Sequence, residues 1–298
     1  MSEREIQPIY VDLHCHGGAG FYFSDPNPRN IQSAIEFHKK HGTSQLLASL
    51  VTEKIADLEA QILRLLPFYH SGAIAGIHLE GPYLARARCG AHNPNLLKSP
   101  TISEVQRLIE VGDGAIRMIT IAPELDHALD VISYLAKNNI IAAIGHSDGS
   151  YDDALKAVDA GAALVTHFSN GMSKLKDGEQ TFATALLHKT SIPLEIIMDG
   201  HHVNREDVAV VHEVAGERMV FVTDAMAAAG QPDGDFRIGD LDVVVSEGVA
   251  RLKSNGALAG STLTMNQAVA HARRCGVNQE IIESAARLLP SKILSEVS

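Results

Sequence analysis

Fifteen histidines in 298 residues, beside a complete absence of tryptophan, mark this chain. Their placement is more informative than their number. Eight side chains able to carry protons or bind cations stand where short apolar runs stop: His14 and His16 in IYVDLHCH, His78 and Glu80 in AGIHLEG, His146 in IIAAIGHSD, His167 in ALVTHFSN, His202 in IIMDGHH and Asp224 in VFVTDA. Imidazole and carboxylate are the nitrogen and oxygen donors that a zinc-type divalent cation takes. A polar group left unpaired among apolar residues costs roughly 2–7 kcal/mol, and one cation can satisfy several at once. The spacing of two in His14-Cys15-His16 puts both imidazoles on one face of an extended strand. Cys15 then points the other way, as a small packing residue. That motif is weak alone; with further His-bearing run ends it predicts a metal centre. Asp224 is suited to take a proton from water and return it to a leaving group, although an aspartate there is more ordinarily a helix N-cap. Glu80 can bind one cation or bridge two. His78, two residues before it, is expected to support the site from deeper on the same face. His38, His41, His70, His127, His188 and His212 fall on helix-like or connecting stretches, where a solvated or capped imidazole is the ordinary explanation.

Residues spread over some 200 positions meet only if their elements converge. The runs at 9–14, 44–50, 73–81, 116–124, 140–148, 163–170, 193–202 and 218–225 are short, apolar and rich in β-branched residues. Between them lie amphipathic stretches such as IQSAIEFHKK, KIADLEAQILRLL, ALDVISYLAK and YDDALKAVDA. Near-continuous apolar runs suit parallel strands covered on both faces. Eight β-then-α units predict a (β/α)8 (TIM) barrel spanning residues 1–298 as one catalytic domain, with a final helix near 262–273. In that fold the C-terminal strand ends share one mouth, where active sites are built. Residues 230–256 break the rhythm with turns at DG, GD and EG, which predicts a short β insertion after strand 8, either a decorative loop or a lid beside the mouth.

Composition bounds the partners. Lysine and arginine number 25 against 36 aspartates and glutamates, a net charge of −11, which is a poor basis for binding nucleic acid or anionic membranes over a broad face. Three scattered cysteines give no disulfide framework. The N-terminus lacks an apolar signal core and no run approaches 18 apolar residues. These features predict a cytoplasmic protein whose partner is a small molecule.

Five segments, in order, carry a resemblance: HLEGPYLARARCGAHNPNLL, GHSDGSYDDALKAVDAGAALVTHFSNGM, DGHHVN, VTDAMAAAG and LAGSTLTM. Together they resemble the N-acetylglucosamine-6-phosphate deacetylases of the amidohydrolase superfamily, from about Tyr10 to about Leu289. The resemblance implies metal-dependent removal of acetate from GlcNAc-6-phosphate. It implies that Glu80, His146 and His167 are the main ligands of a divalent ion, Zn²⁺ first and Fe²⁺, Mn²⁺ or Co²⁺ as alternatives. His14 and His16 match the first-strand pair, which some members use for a second ion. Asp224 matches the general base and acid. His92 matches the histidine that polarises the acetyl carbonyl, and His202, rather than its neighbour His201, the one at the sugar phosphate. Asn170 and the Gly171 backbone match the segment holding the phosphate or sugar, and Leu258 and Ser261 the stretch lining the acetyl end. Three departures stand out. The small β-sandwich of the family is expected to be missing, which predicts polar replacements or a homodimer over the barrel surface it covers. The Asn-Ala-Met element reads SNGM. Gly178 stands where the family carries a phosphate-binding Arg, leaving Lys174 or Lys176 to supply charge without its bidentate fork. These departures keep two other readings open: hydrolysis of another N-acyl amino sugar or N-acyl amino acid, and a degenerate barrel that only binds an amino-sugar phosphate.

Overall fold

A computed structural model describes residues 9–175 and 178–297. Eight strands run parallel in sequence order: β1 (Tyr10–Cys15), β2 (Thr43–Val51), β3 (Gly76–Glu80), β4 (Ile116–Ile121), β5 (Ile141–Ile144), β6 (Leu164–Val165), β7 (Leu194–Ile197) and β8 (Met219–Val222). β8 returns to β1 at the mouth, where Asp224 N donates to His14 O at 2.8 Å and Cys15 bridges Ala225 in parallel. The eight-strand barrel expected from the sequence is therefore present. Its strands are buried almost throughout, as strands packed inside and covered by helices outside must be.

The helices follow from amphipathic stripes and local caps. α1 (Pro28–Lys40) starts with Pro at its first position behind Asn27, whose side chain caps Arg29 N. Its inward stripe is Ile31, Ala34, Ile35 and His38. This corrects the expectation of a surface His38: spacing of three and four carries it onto the apolar face, where it is fully buried and donates from Nε2 to Gly17 O at 2.8 Å. α2 (Tyr151–Asp159) carries a capping box from Ser150 and Asp153.

Strand ends are shorter than the apolar runs suggest. His146, His167, Ser169 and Asp224 have φ of 47°, 26°, 71° and 47°. These left-handed conformations break the ladder and turn the side chains into the mouth. Each costs of order 1–3 kcal/mol and persists only where surroundings enforce it. The 230–256 segment is a three-stranded antiparallel sheet, β9 (Gly234–Ile238), β10 (Leu241–Ser246) and β11 (Val249–Leu252). Alternate residues bury Ile238, Val243, Val245, Ala250 and Leu252 in a satellite core with Met226 and Ala228. After α3 (Met265–Cys275) the chain continues past the expected last helix through α4 (Gln279–Glu283) to α5 (Leu289–Ser295). Ala285, Ala286, Ile293 and Leu294 bury that tail against the barrel, and Arg117 at the start of β4 donates to Val297 O. No helix among the described residues is long and apolar enough to cross a membrane.

Candidate active site

Glu80, the last residue of β3, lies at the centre of the mouth and is only 3% exposed. Its Oε1 is 3.1 Å from His146 Nε2 and 2.9 Å from His167 Nε2, and these two nitrogens are 2.9 Å apart. Its Oε2 is 3.1 Å from His16 Nε2. His16 Nε2 in turn lies 3.1 Å from His14 Nε2 and 3.2 Å from Asp224 Oδ1. The ends of β1, β3, β5, β6 and β8 thus deliver two adjoining donor sets that share one carboxylate.

The outward ring nitrogens show what the inward ones offer. His146 Nδ1 faces Arg88 O at 2.7 Å, His16 Nδ1 faces Ser49 O at 3.2 Å, and His14 Nδ1 faces Glu195 Oε2 at 3.1 Å. Each partner only accepts, so each Nδ1 carries a proton and each neutral imidazole turns a lone pair inward. The lone pairs of His14 and His16, 3.1 Å apart, repel unless a positive charge lies between them. Metal–ligand bonds of about 2.0–2.1 Å at 90–110° separate donors by about 2.9–3.4 Å, the range seen here. The donor set fits a divalent cation of zinc type. Without one, protons take its place: burial pushes His16 down, but Asp224 and Glu80 outweigh it and raise it to about 8. Burial likewise raises the Asp224 carboxyl, while His14 and His16 outweigh it and hold it at about 2.

His92 is different. Thr52 N points at its Nδ1 from 3.3 Å, with Thr52 Oγ1 at 2.9 Å. An accepting Nδ1 leaves the proton on Nε2, which faces Glu80 Oε2 at 3.3 Å. Burial dominates over Glu80 and lowers His92 to about 4, so it is a neutral donor at neutral pH. Although Glu80, His92 and His146 lie within common reach of a cation, this tautomer makes His92 a hydrogen-bond donor and turns no lone pair toward Glu80.

Above these groups opens a cavity of about 290 Å³, near the lower end of small-molecule sites. Asn170, Gly171, His202, Leu258, Lys174 and Arg88 line it, and Ile238 of β9 closes one side. His202 is oriented by Asp199, whose Oδ2 lies 2.6 Å from Nδ1. His201 is exposed. Ser261, by contrast, spends its hydroxyl on backbone, donating to Thr223 O at 2.6 Å and accepting from Leu263 N. His78 lies behind the site without lining the cavity, bonded to Ser49 and Thr120 and packed edge-on against His14. Lys176 lies outside the described residues. Asp12, Cys15 and His38 also cluster. There Thr223 Oγ1, Thr223 N and His14 N occupy the Asp12 oxygens.

Sequence reasoning missed Glu195, Asp12 and Asp199. The first two had a signal: a carboxylate in the middle of an apolar run, PLEII and IYVDL. Arg88 had none, because its backbone carbonyl is what orients His146.

No family model matches the chain. It is 35% identical over 303 residues to an N-acetylgalactosamine-6-phosphate deacetylase of Escherichia coli O157:H7, covering 99% of this chain and 80% of that protein. It is 33% identical over 274 residues to an N-acetylglucosamine-6-phosphate deacetylase of Vibrio furnissii, covering 91% and 68%. Among solved structures, a mutant N-acetyl-D-glucosamine-6-phosphate deacetylase from Mycobacterium smegmatis, in complex with N-acetyl-D-glucosamine-6-phosphate, superposes with a TM-score of 0.93 at 39% identity, covering 97% of this chain and 77% of that one.

Proposed function

The chain belongs to the N-acetylglucosamine-6-phosphate deacetylase family of amidohydrolases, and from that premise we propose that it hydrolyses GlcNAc-6-phosphate to acetate and glucosamine 6-phosphate. The observation that carries this reading is Glu80 lying between two sets of inward-facing imidazoles at the mouth of the barrel. Glu80, His146 and His167 would hold a divalent ion, with zinc the first choice and Fe²⁺, Mn²⁺ or Co²⁺ as alternatives; His14 and His16 would hold a second. Such a cation supplies Lewis acidity, polarising the acyl carbonyl and lowering the pKa of water.

The chain's own groups do the rest. Asp224, ionised across the neutral range, takes a proton from the attacking water as its oxygen bonds to the acyl carbon. His92 donates its Nε2 proton in a hydrogen bond to the carbonyl oxygen as negative charge gathers there. When the C–N bond breaks, Asp224 returns the proton to the departing amine. Leu258 and Ile238 enclose the acetyl end, with Ser261 holding the strand end behind them. His202, Asn170 and the Gly171 backbone take the sugar phosphate. Lys174 adds charge: its ammonium donates to the neutral Ser169 O at 3.0 Å, and it pairs with no carboxylate among the described residues.

GalNAc-6-phosphate is the second reading, because a relative at 35% identity carries that name and the two sugars differ only in the configuration at C4. Steady-state kcat/KM for GlcNAc-6-phosphate, GalNAc-6-phosphate and unphosphorylated GlcNAc tests the proposal. A preference for a phosphorylated substrate is expected, and a preference for the unphosphorylated sugar would overturn it.

A further inference from the structure

Glu195 sits inside β7, fully buried, and the chemistry above does not use it. Its Oε2 accepts from His14 Nδ1 and from His167 N, both at 3.1 Å. Its backbone carbonyl accepts from Phe168 N at 2.7 Å. Its Oε1 is buried with no partner. A buried carboxylate is costly unless its charge is balanced. Among the described residues Glu195 pairs with no lysine or arginine; its one ionic partner is His14.

We propose that Glu195 is the positioning residue that makes His14 a cation ligand and links the two donor sets. A carboxylate behind an imidazole fixes the tautomer and raises the basicity of the opposite nitrogen. Here that nitrogen is His14 Nε2, which faces His16 Nε2, Asp224 Oδ1 and Glu80 Oε1 at 3.1, 3.4 and 3.5 Å. His78, edge-on at 4.6 Å, holds the ring plane from the other side. The same Oε2 secures the His167 N–H, and with it a backbone at φ 26° that aims the His167 ring at Glu80. One carboxylate thus governs a ligand of each set, one through its ring and one through its backbone. Its negative charge also adds to those of Glu80 and Asp224, so the pocket is built for more positive charge than one divalent ion brings. This inference rests on the metal-dependent reading of the site.

Both hydrogen bonds end on one oxygen. Glu195→Gln can therefore keep them, placing its amide nitrogen where Oε1 lacks a partner, while removing the charge. Metal-free protein would be titrated with Zn²⁺ against a chromogenic chelator. Wild type is expected to take up two equivalents. Glu195→Gln should keep the tighter one and bind the other about 10–100-fold more weakly, with cooperative thermal unfolding preserved. Two equivalents bound by the variant as tightly as by wild type would overturn the proposal, and so would a single equivalent in wild type. Should the variant not fold, His14→Asn must lose one equivalent, and retention of two overturns it equally. A wild type that binds zinc but releases no acetate would instead sink the deacetylase reading and leave the role of Glu195 standing.

Discussion

Glu80 and Asp224 are both carboxylates at strand ends, yet their surroundings give them different work. Both Glu80 oxygens face imidazole nitrogens within 3.5 Å, whereas Asp224 contacts His14 and His16 from Oδ1; both carboxylates line the cavity. Asp224→Asn should therefore lose at least about 10²-fold in kcat while retaining bound metal by elemental analysis; near-normal turnover would refute its role as base. Lys174→Ala tests the phosphate end. Losing one charge-assisted hydrogen bond of about 1.5–3 kcal/mol should raise KM for GlcNAc-6-phosphate roughly tenfold or more. Turnover of unphosphorylated GlcNAc should not change, and a matching loss on both substrates would place Lys174 elsewhere. The sequence makes these residues legible because chemistry-bearing types interrupt apolar runs. It hides the tautomers, since the backbone groups of Arg88, Ser49 and Thr52 that fix them carry no side-chain signature.

At the scale of elements, the loop after β6 folds back on His146, the proposed ligand just past the end of β5. Gly171 has φ 57°, and a Cβ built there would meet His146 Nδ1 at 2.9 Å. Gly171→Ala should tilt that ring and weaken divalent-ion binding about tenfold or more. Gly256→Ala, at φ 74° with nothing within 4 Å, shares the backbone strain but should leave metal affinity intact. Equal effects from the two variants, read by chelator competition, would mean the contact is irrelevant. The eight strands and most helices are readable from periodicity alone. The lengths of β5, β6 and β8 are not, because left-handed residues at the strand ends cut the ladder inside the apolar run. α1 is readable as a helix, and although its residue type suggests the surface, the spacing of His38 from Ile31, Ala34 and Ile35 places it inside.

Over the whole molecule, that histidine links stability to pH. Burial pushes His38 down to about 4, the bond to Gly17 O only partly opposing, whereas an unfolded imidazole titrates near 6.5. The unfolded chain takes up the proton first as pH falls. Stability from the neutral ring is complete above about 6.5 and drains away toward about 4, by on the order of 3 kcal/mol at most. Urea unfolding at pH 7.5 and 5.0 should show a smaller loss for His38→Asn than for wild type; identical losses would contradict the linkage. The barrel matters to the proposed function because it brings residues from β1 to β8 around one cluster of inward-facing imidazoles and carboxylates. The most direct test is acetate release from GlcNAc-6-phosphate by protein purified without chelator, then stripped, then resupplied with Zn²⁺, Fe²⁺ or Mn²⁺. Activity should vanish on stripping and return with a divalent ion. Acetate release that survives complete removal of metal, or none from fully loaded protein, would contradict the account.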